Sequence, residues 1–163
     1  MERIALLADI HGNSTALKAV LKDCRQNHIQ KFILLGDLFT KGPDPAGVFR
    51  QLQRLPTLAA VAGNTDDWLL AAGGLTARQA ALTAFTGSIG APYDRDPRSS
   101  YGILTLSAQP GFEIRRISYD TLEELRLAQQ KAIPFFSLYE PSIQYGIRSN
   151  TPPQATFIKP EAP

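Results

Sequence analysis

A chain of 163 residues, 44% of them hydrophobic, can close one core and has no room for two large ones. Its net charge of +2 comes from 17 basic and 15 acidic residues scattered along the chain, which excludes a basic stripe for nucleic acid. The longest apolar runs fall far short of a membrane span, no signal-peptide pattern opens the chain, and a single cysteine, Cys24, forbids an intrachain disulfide; a cytoplasmic protein is expected.

In chain order, the apolar run from Ile4 reads as a strand buried on both faces, and it breaks abruptly into Ala8, Asp9, Ile10, His11, Gly12 and Asn13. The carboxyl ends of strands are where open α/β sheets place ligands. With period two along an extended chain, Asp9 and His11 point to the same side, so both can reach one ion. Asn13 or Ser14 can cap a helix whose Leu17, Val20, Leu21 and Cys24 recur at helical spacing. Cys24 then belongs to the core, and His28 to the polar turn that follows, at the end of the sheet away from the ligands.

A second run, Lys31 to Leu35, ends in Gly36 and Asp37, and a third, Leu58 to Ala62, ends in Gly63, Asn64, Thr65 and Asp66. If right-handed crossovers make these strands parallel, three loops deliver ligand atoms to one end of one sheet, as an assembled metal site requires. Pro45 is placed to open a helix with Val48, Phe49 and Leu52, with Asp44 as its cap. Lys41, between them, either faces an anionic substrate or is solvated. Asn64 offers an amide oxygen, a hard ligand suited to divalent ions. Asp66 and Asp67 either cap the next helix, through Trp68, Leu69 and Leu70, or serve the site. Gly73 and Gly74 break that helix, and Thr76 can cap another through Phe85.

From Thr86 the texture changes to a turn-rich loop, Gly87 to Pro92, followed by strands Tyr101 to Ser107 and Phe112 to Ser118 about a turn at Gln109, Pro110 and Gly111. Thr121 and Glu124 form a capping box for a helix with Leu122, Leu125 and Ala128 inward. Pro134 ends it, and Phe135 to Tyr145 predicts a last short helix. The plan is one domain over 1–150, with 1–85 as its N-terminal half and 86–150 as its closing half, and a loose tail over 151–163.

In this order, Asp9-Ile10-His11-Gly12-Asn13, Gly36-Asp37 with Gly42-Pro43, and Gly63-Asn64-Thr65-Asp66 resemble the first three signature blocks of the calcineurin-like metallophosphoesterases in their compact bacterial form. Gly87 to Pro92 and Asp96 to Tyr101 are similar to the loop and strand that close these folds. The resemblance implies an α/β fold, a truncated four-layer α/β/β/α sandwich, with a dinuclear metal centre that hydrolyses a phosphodiester or a small phosphomonoester. It assigns Asp9 and His11 to the first metal, Asp37 to a bridge and Asn64 to the second metal, and makes Asp37, Asn64 and Asp66 the catalytic candidates. The divalent ion expected is Mn²⁺, with Fe, Zn, Ni or Mg as alternatives.

The family's two later blocks, a His-Gly and a Gly-His-x-His, have no counterpart, because His11 and His28 are the only histidines. The beginning of the family pattern is joined to its end near Phe85 and Thr86, and the position that holds a catalytic histidine in many members is Thr65. With Asp37 and Asn64 alone, the second site is expected to be weak. A non-catalytic member stays open as the other reading: a binding protein, or a homo-oligomer formed by pairing an exposed sheet edge with a second copy.

Overall fold

The computed structural model describes residues 1–66 and 87–149; the expectations placed on Asp67, on Trp68 to Phe85 and on the tail 151–163 lie outside the described residues. Five strands form one mixed sheet: β1 (Glu2–Leu7), β2 (Lys31–Leu34), β3 (Thr57–Ala60), β4 (Ser99–Leu106) and β5 (Gly111–Ile117), in the order β3-β2-β1-β4-β5. The helices are α1 (Ser14–Gln26), α2 (Pro45–Leu52), α3 (Thr121–Gln130) and α4 (Phe136–Tyr145). The α/β class expected from the run of strands and helices is the one observed.

The three apolar runs do pair in parallel, β1 with β2 and β2 with β3. Helices must therefore return the chain between them, and α1 and α2, which make these crossovers, pack against each other. All three ligand loops thus leave the sheet at one end. The closing half pairs from the other side, β4 antiparallel to β1 and β5 antiparallel to β4. β1 is central, and Ile4, Ala5 and Leu7 are buried in it; β3, at the edge, is exposed at all four residues.

The expected stripe of α1, Leu17, Val20, Leu21 and Cys24, joins Leu7, Phe32, Leu34, Tyr101 and Ile103 in the main core. Burial pushes the Cys24 thiol up to about 11, which leaves it inert as a nucleophile. Asp23, beside it, receives the Arg115 guanidinium at 2.8 Å and the Tyr101 hydroxyl at 2.6 Å, tying α1 to β4 and β5. A second cluster, Leu125, Ala128, Tyr139 and Ile143, holds α3 to α4.

Caps decide the details. The Asn13 side chain accepts from Ala16 N at 2.8 Å, and Asp44 Oδ1 accepts from Gly47 N at 2.9 Å, so both act as foreseen. At α3 the capping box is not the one expected: Asp120 is the cap, accepting from Glu123 N at 2.9 Å, and Thr121 is the first helical residue. Leu125 and Ala128 face inward as expected, and Leu122 does not. Leu122 is 78% exposed, and Glu124 is fully buried with its Oε1 on the Tyr139 hydroxyl at 2.7 Å.

Candidate metal centre

Asp9 and His11 lie in the loop after β1, and Asp37 in the loop after β2. Extended geometry does not align them, contrary to the period-two expectation. β1 ends at Leu7, and Asp9, His11 and Asp37 all adopt left-handed backbone, with φ of 50°, 51° and 55°. Asp and His are among the few residues besides glycine that enter this region with any frequency, and non-glycine residues held there gather at functional sites.

Backbone hydrogen bonds hold the conformation. His11 N donates to Asp37 O at 2.8 Å, Gly12 N to Leu38 O at 2.9 Å, and Gly42 N to His11 O at 2.7 Å, zipping the first loop to the second. From the closing half, Gly90 N donates to Asp9 O at 2.8 Å, and the Asn13 amide donates to Gly90 O at 3.2 Å. A methyl group on Gly90 would collide with Ile10 O, and one on Gly42 with His11 O, so these contacts need glycine.

The outcome is a compact donor set. One ligand atom each from Asp9, His11 and Asp37 lie within 4.8 Å of one another. Burial first, and then the neighbouring Asp37, raise the Asp9 carboxyl to about 7. Burial first, and then Lys41, hold the His11 imidazole well below its ordinary value, so it is neutral, as a ligand must be. His11 Nδ1 is buried without a partner among the described residues, and His11 Nε2 faces the Lys41 ammonium at 3.0 Å. An ammonium has no acceptor, so Nε2 presents a lone pair to a cation. Two carboxylates and an imidazole with a lone pair aimed at positive charge form an oxygen and nitrogen set that fits a divalent ion.

The third loop supplies the orientation. Asp37 Oδ1 accepts from both Thr65 N and Thr65 Oγ1, each at 2.8 Å, which fixes the carboxylate and leaves Oδ2 to turn into the site. Thr65 is 2% exposed, and its role was not foreseen; a small hydroxyl directly after Gly63 and Asn64 is the signal that could have found it. Asp66 spends both oxygens on backbone, Oδ1 on Leu38 N at 2.9 Å and Oδ2 on Gly63 N at 3.0 Å, and so bolts the third loop to the second. Asn64 is half-buried and lies with Lys41 and Thr65 on the wall of a cavity of about 460 Å³. Lys41, read from the sequence as facing either a ligand or solvent, has an exposed stem and an ammonium turned toward the carboxylates; burial holds it below its ordinary value while Asp37 and Asp9 pull the other way.

A model of the calcineurin-like phosphoesterases matches residues 2–141. An uncharacterized protein of Methanocaldococcus jannaschii, MJ0912, is 39% identical over 67 residues, a match that takes in 41% of this chain and 27% of that protein. The fold is similar to that of a metallophosphoesterase from Sphaerobacter thermophilus, with a TM-score of 0.72 and 17% identity, covering 90% of this chain and 99% of the other. It is also similar to hypothetical protein PH1004 from Pyrococcus horikoshii, with a TM-score of 0.69 and 13% identity, covering 91% and 100%. Among the described residues no helix is long and apolar enough to cross a membrane. The family match runs from β1 into α4 and takes in all three loops that build the centre, so the chain belongs to the calcineurin-like phosphoesterases.

Proposed function

We propose that this chain is a metal-dependent hydrolase of a phosphodiester or a small phosphomonoester, centred on Asp9, His11 and Asp37. The observation that carries the reading is the convergence of these three donors within 4.8 Å, on backbone that is left-handed at every one of them. Asp9 and His11 would hold the first ion, Asp37 would share its free oxygen with it, and Asn64 would be the remaining donor toward a weak second ion. A divalent ion there would neutralise the phosphoryl oxygens and make water a competent nucleophile near neutral pH. Thr65 and Asp66 are positioning residues: one fixes the Asp37 carboxylate, the other fixes the loop that bears Asn64. Lys41, once displaced from His11, is the chain's own cation for phosphoryl oxygen charge.

The test is metal content and turnover together. The Mn²⁺-reconstituted chain is expected to bind one ion tightly and to hydrolyse bis-p-nitrophenyl phosphate, and Asp9→Asn and Asp37→Asn are expected to lose both properties. A metal-free chain that still turns over, or a metal-loaded one that does not, would sink the proposal.

One observation favours the non-catalytic, self-associating reading. The edge strand β3 is exposed along its whole length, with Leu58 at 53%, and an open edge is a template for pairing with a second copy. Sedimentation of the full chain separates the two: dimerisation lost in Leu58→Lys, without metal-dependent turnover, would favour it.

A further inference from the structure

The cavity beside the metal centre is lined by two different chemistries. On one side are Lys41, Asn64 and Thr65 from the ligand loops; on the other are Tyr93 and Phe135, with α4 behind them, and Arg148. Tyr93 is 49% exposed and Phe135 is 60% exposed, so two aromatic rings stand open to solvent on the wall of one cavity. An open aromatic ring forfeits the burial that makes aromatic side chains worth having. Phe135 also carries left-handed backbone, φ 60°, at the start of α4, where no side chain caps the helix. A bulky residue in that region is a backbone outlier, and such strain is characteristic of ligand clamps.

Charge gives the orientation. Lys41 and Arg148 both line the cavity, and neither forms an ion pair among the described residues. Two cations facing one cavity, beside carboxylates that a metal would neutralise, call for an anion between them. The Lys41 ammonium sits 5.9 Å from the centre of the Tyr93 ring, so the anionic and aromatic parts of the cavity meet there.

Resting on the phosphoesterase reading above, we infer that the substrate is a phosphate ester whose alcohol carries a planar aromatic ring. Its phosphoryl group lies toward Asp9, His11 and Asp37, with Lys41 and Arg148 on its free oxygens, and its ring lies against Tyr93 and Phe135. A cavity of about 460 Å³ lies within the range that holds a small organic ligand. The ring is held by area and stacking, and the phosphoryl group by charge, so the two contributions separate by mutation.

The experiment is calorimetric binding of phenyl phosphate and methyl phosphate to the full chain, with and without Mn²⁺. Phenyl phosphate is expected to bind at least ten times more tightly than methyl phosphate. Tyr93→Ala and Phe135→Asn, the latter chosen because asparagine tolerates left-handed backbone, are each expected to remove most of that ratio while leaving methyl phosphate binding and the melting temperature unchanged. Arg148→Gln is expected to weaken both ligands alike. Equal affinities in the unmutated chain, or a ratio that survives both aromatic variants, would overturn the assignment even if esters are hydrolysed. A ring preference in a chain that hydrolyses no ester would support the cavity assignment and remove the phosphoesterase reading beneath it.

Discussion

The Lys41 ammonium lies 3.0 Å from His11 Nε2, so a cation of the chain's own stands at the ring nitrogen that a divalent ion would use. Ammonium and metal cannot hold one lone pair together. Binding must drive Lys41 outward and then tolerate its charge nearby, a repulsion of about 8 kcal/mol between an ammonium and a divalent ion at a separation of about 4 Å and an effective dielectric of about 20. Lys41→Met is therefore expected to tighten Mn²⁺ binding by about tenfold or more, and to lower the melting temperature of the metal-free chain, because Asp9 and Asp37 lose their counter-charge. Titration calorimetry and a thermal melt of the stripped protein check the two halves. An unchanged affinity would mean that the lysine leaves the site without cost.

Asp66 gives a second test, one of architecture. Its carboxylate accepts from Leu38 N and Gly63 N, joining the loop that carries Asp37 to the loop that carries Thr65. Removing it leaves two backbone donors without their charged acceptor, at about 2–4 kcal/mol. Asp66→Ala is expected to melt about 6–12 °C lower, by the usual scaling for a domain of this size, and to weaken metal binding because Asp37 loses its setting. Asp66→Asn keeps one acceptor and is expected to fall between. If the alanine variant melts normally but loses turnover, Asp66 acts on substrate and not on the loops.

These two residues mark what the sequence reveals and what it hides. β1 and α1 were legible because an apolar run and a helical stripe follow from burial alone, and the three loops because each run ends in glycine and a ligand. The left-handed backbone at Asp9, His11 and Asp37 was not, since nothing in a non-glycine residue announces a positive φ that neighbouring loops impose. Where Lys41 points was equally hidden, because its carboxylate partners sit on two different loops. At α3, Asp120 and Thr121 were both competent caps. The helical stripe places Leu125 and Ala128 correctly and Leu122 wrongly, because apolar spacing alone does not show that Glu124 packs inward on the Tyr139 hydroxyl.

Gly36 tests whether the loops must touch. Its φ is +91°, and a methyl group on it would overlap Gly63 N and Cα, which are backbone atoms that cannot turn aside. Gly36→Ala is expected to cost about 4 kcal/mol or more, a large part of a typical domain's stability. Gly111→Ala, where the new carbon would meet only Thr105 at 3.9 Å, is the control and is expected to stay within about 0.5 kcal/mol. Urea unfolding of both proteins decides it: comparable midpoints would mean that the second and third loops are not held in contact.

Glu124 predicts a pH dependence that does not come from the metal ligands. It is fully buried, and its Oε1 accepts from the Tyr139 hydroxyl. Burial raises its carboxyl above the ordinary value of 4.5, more than the Tyr139 hydroxyl lowers it. Below the ordinary value both folded and unfolded chains hold the proton, and nothing is lost. As pH rises, the unfolded chain releases its proton first, so Glu124 withdraws stability until the folded carboxyl also ionises. Glu124→Gln cannot ionise, and its side-chain oxygen can still accept from Tyr139. The difference in urea-unfolding free energy, variant minus unmutated chain, is therefore expected to grow in the variant's favour from pH 4 to pH 7. A difference that stays flat would mean that the folded carboxyl titrates as the unfolded one does, and one that moves the other way that the folded chain ionises Glu124 first; in either case burial does not govern its proton.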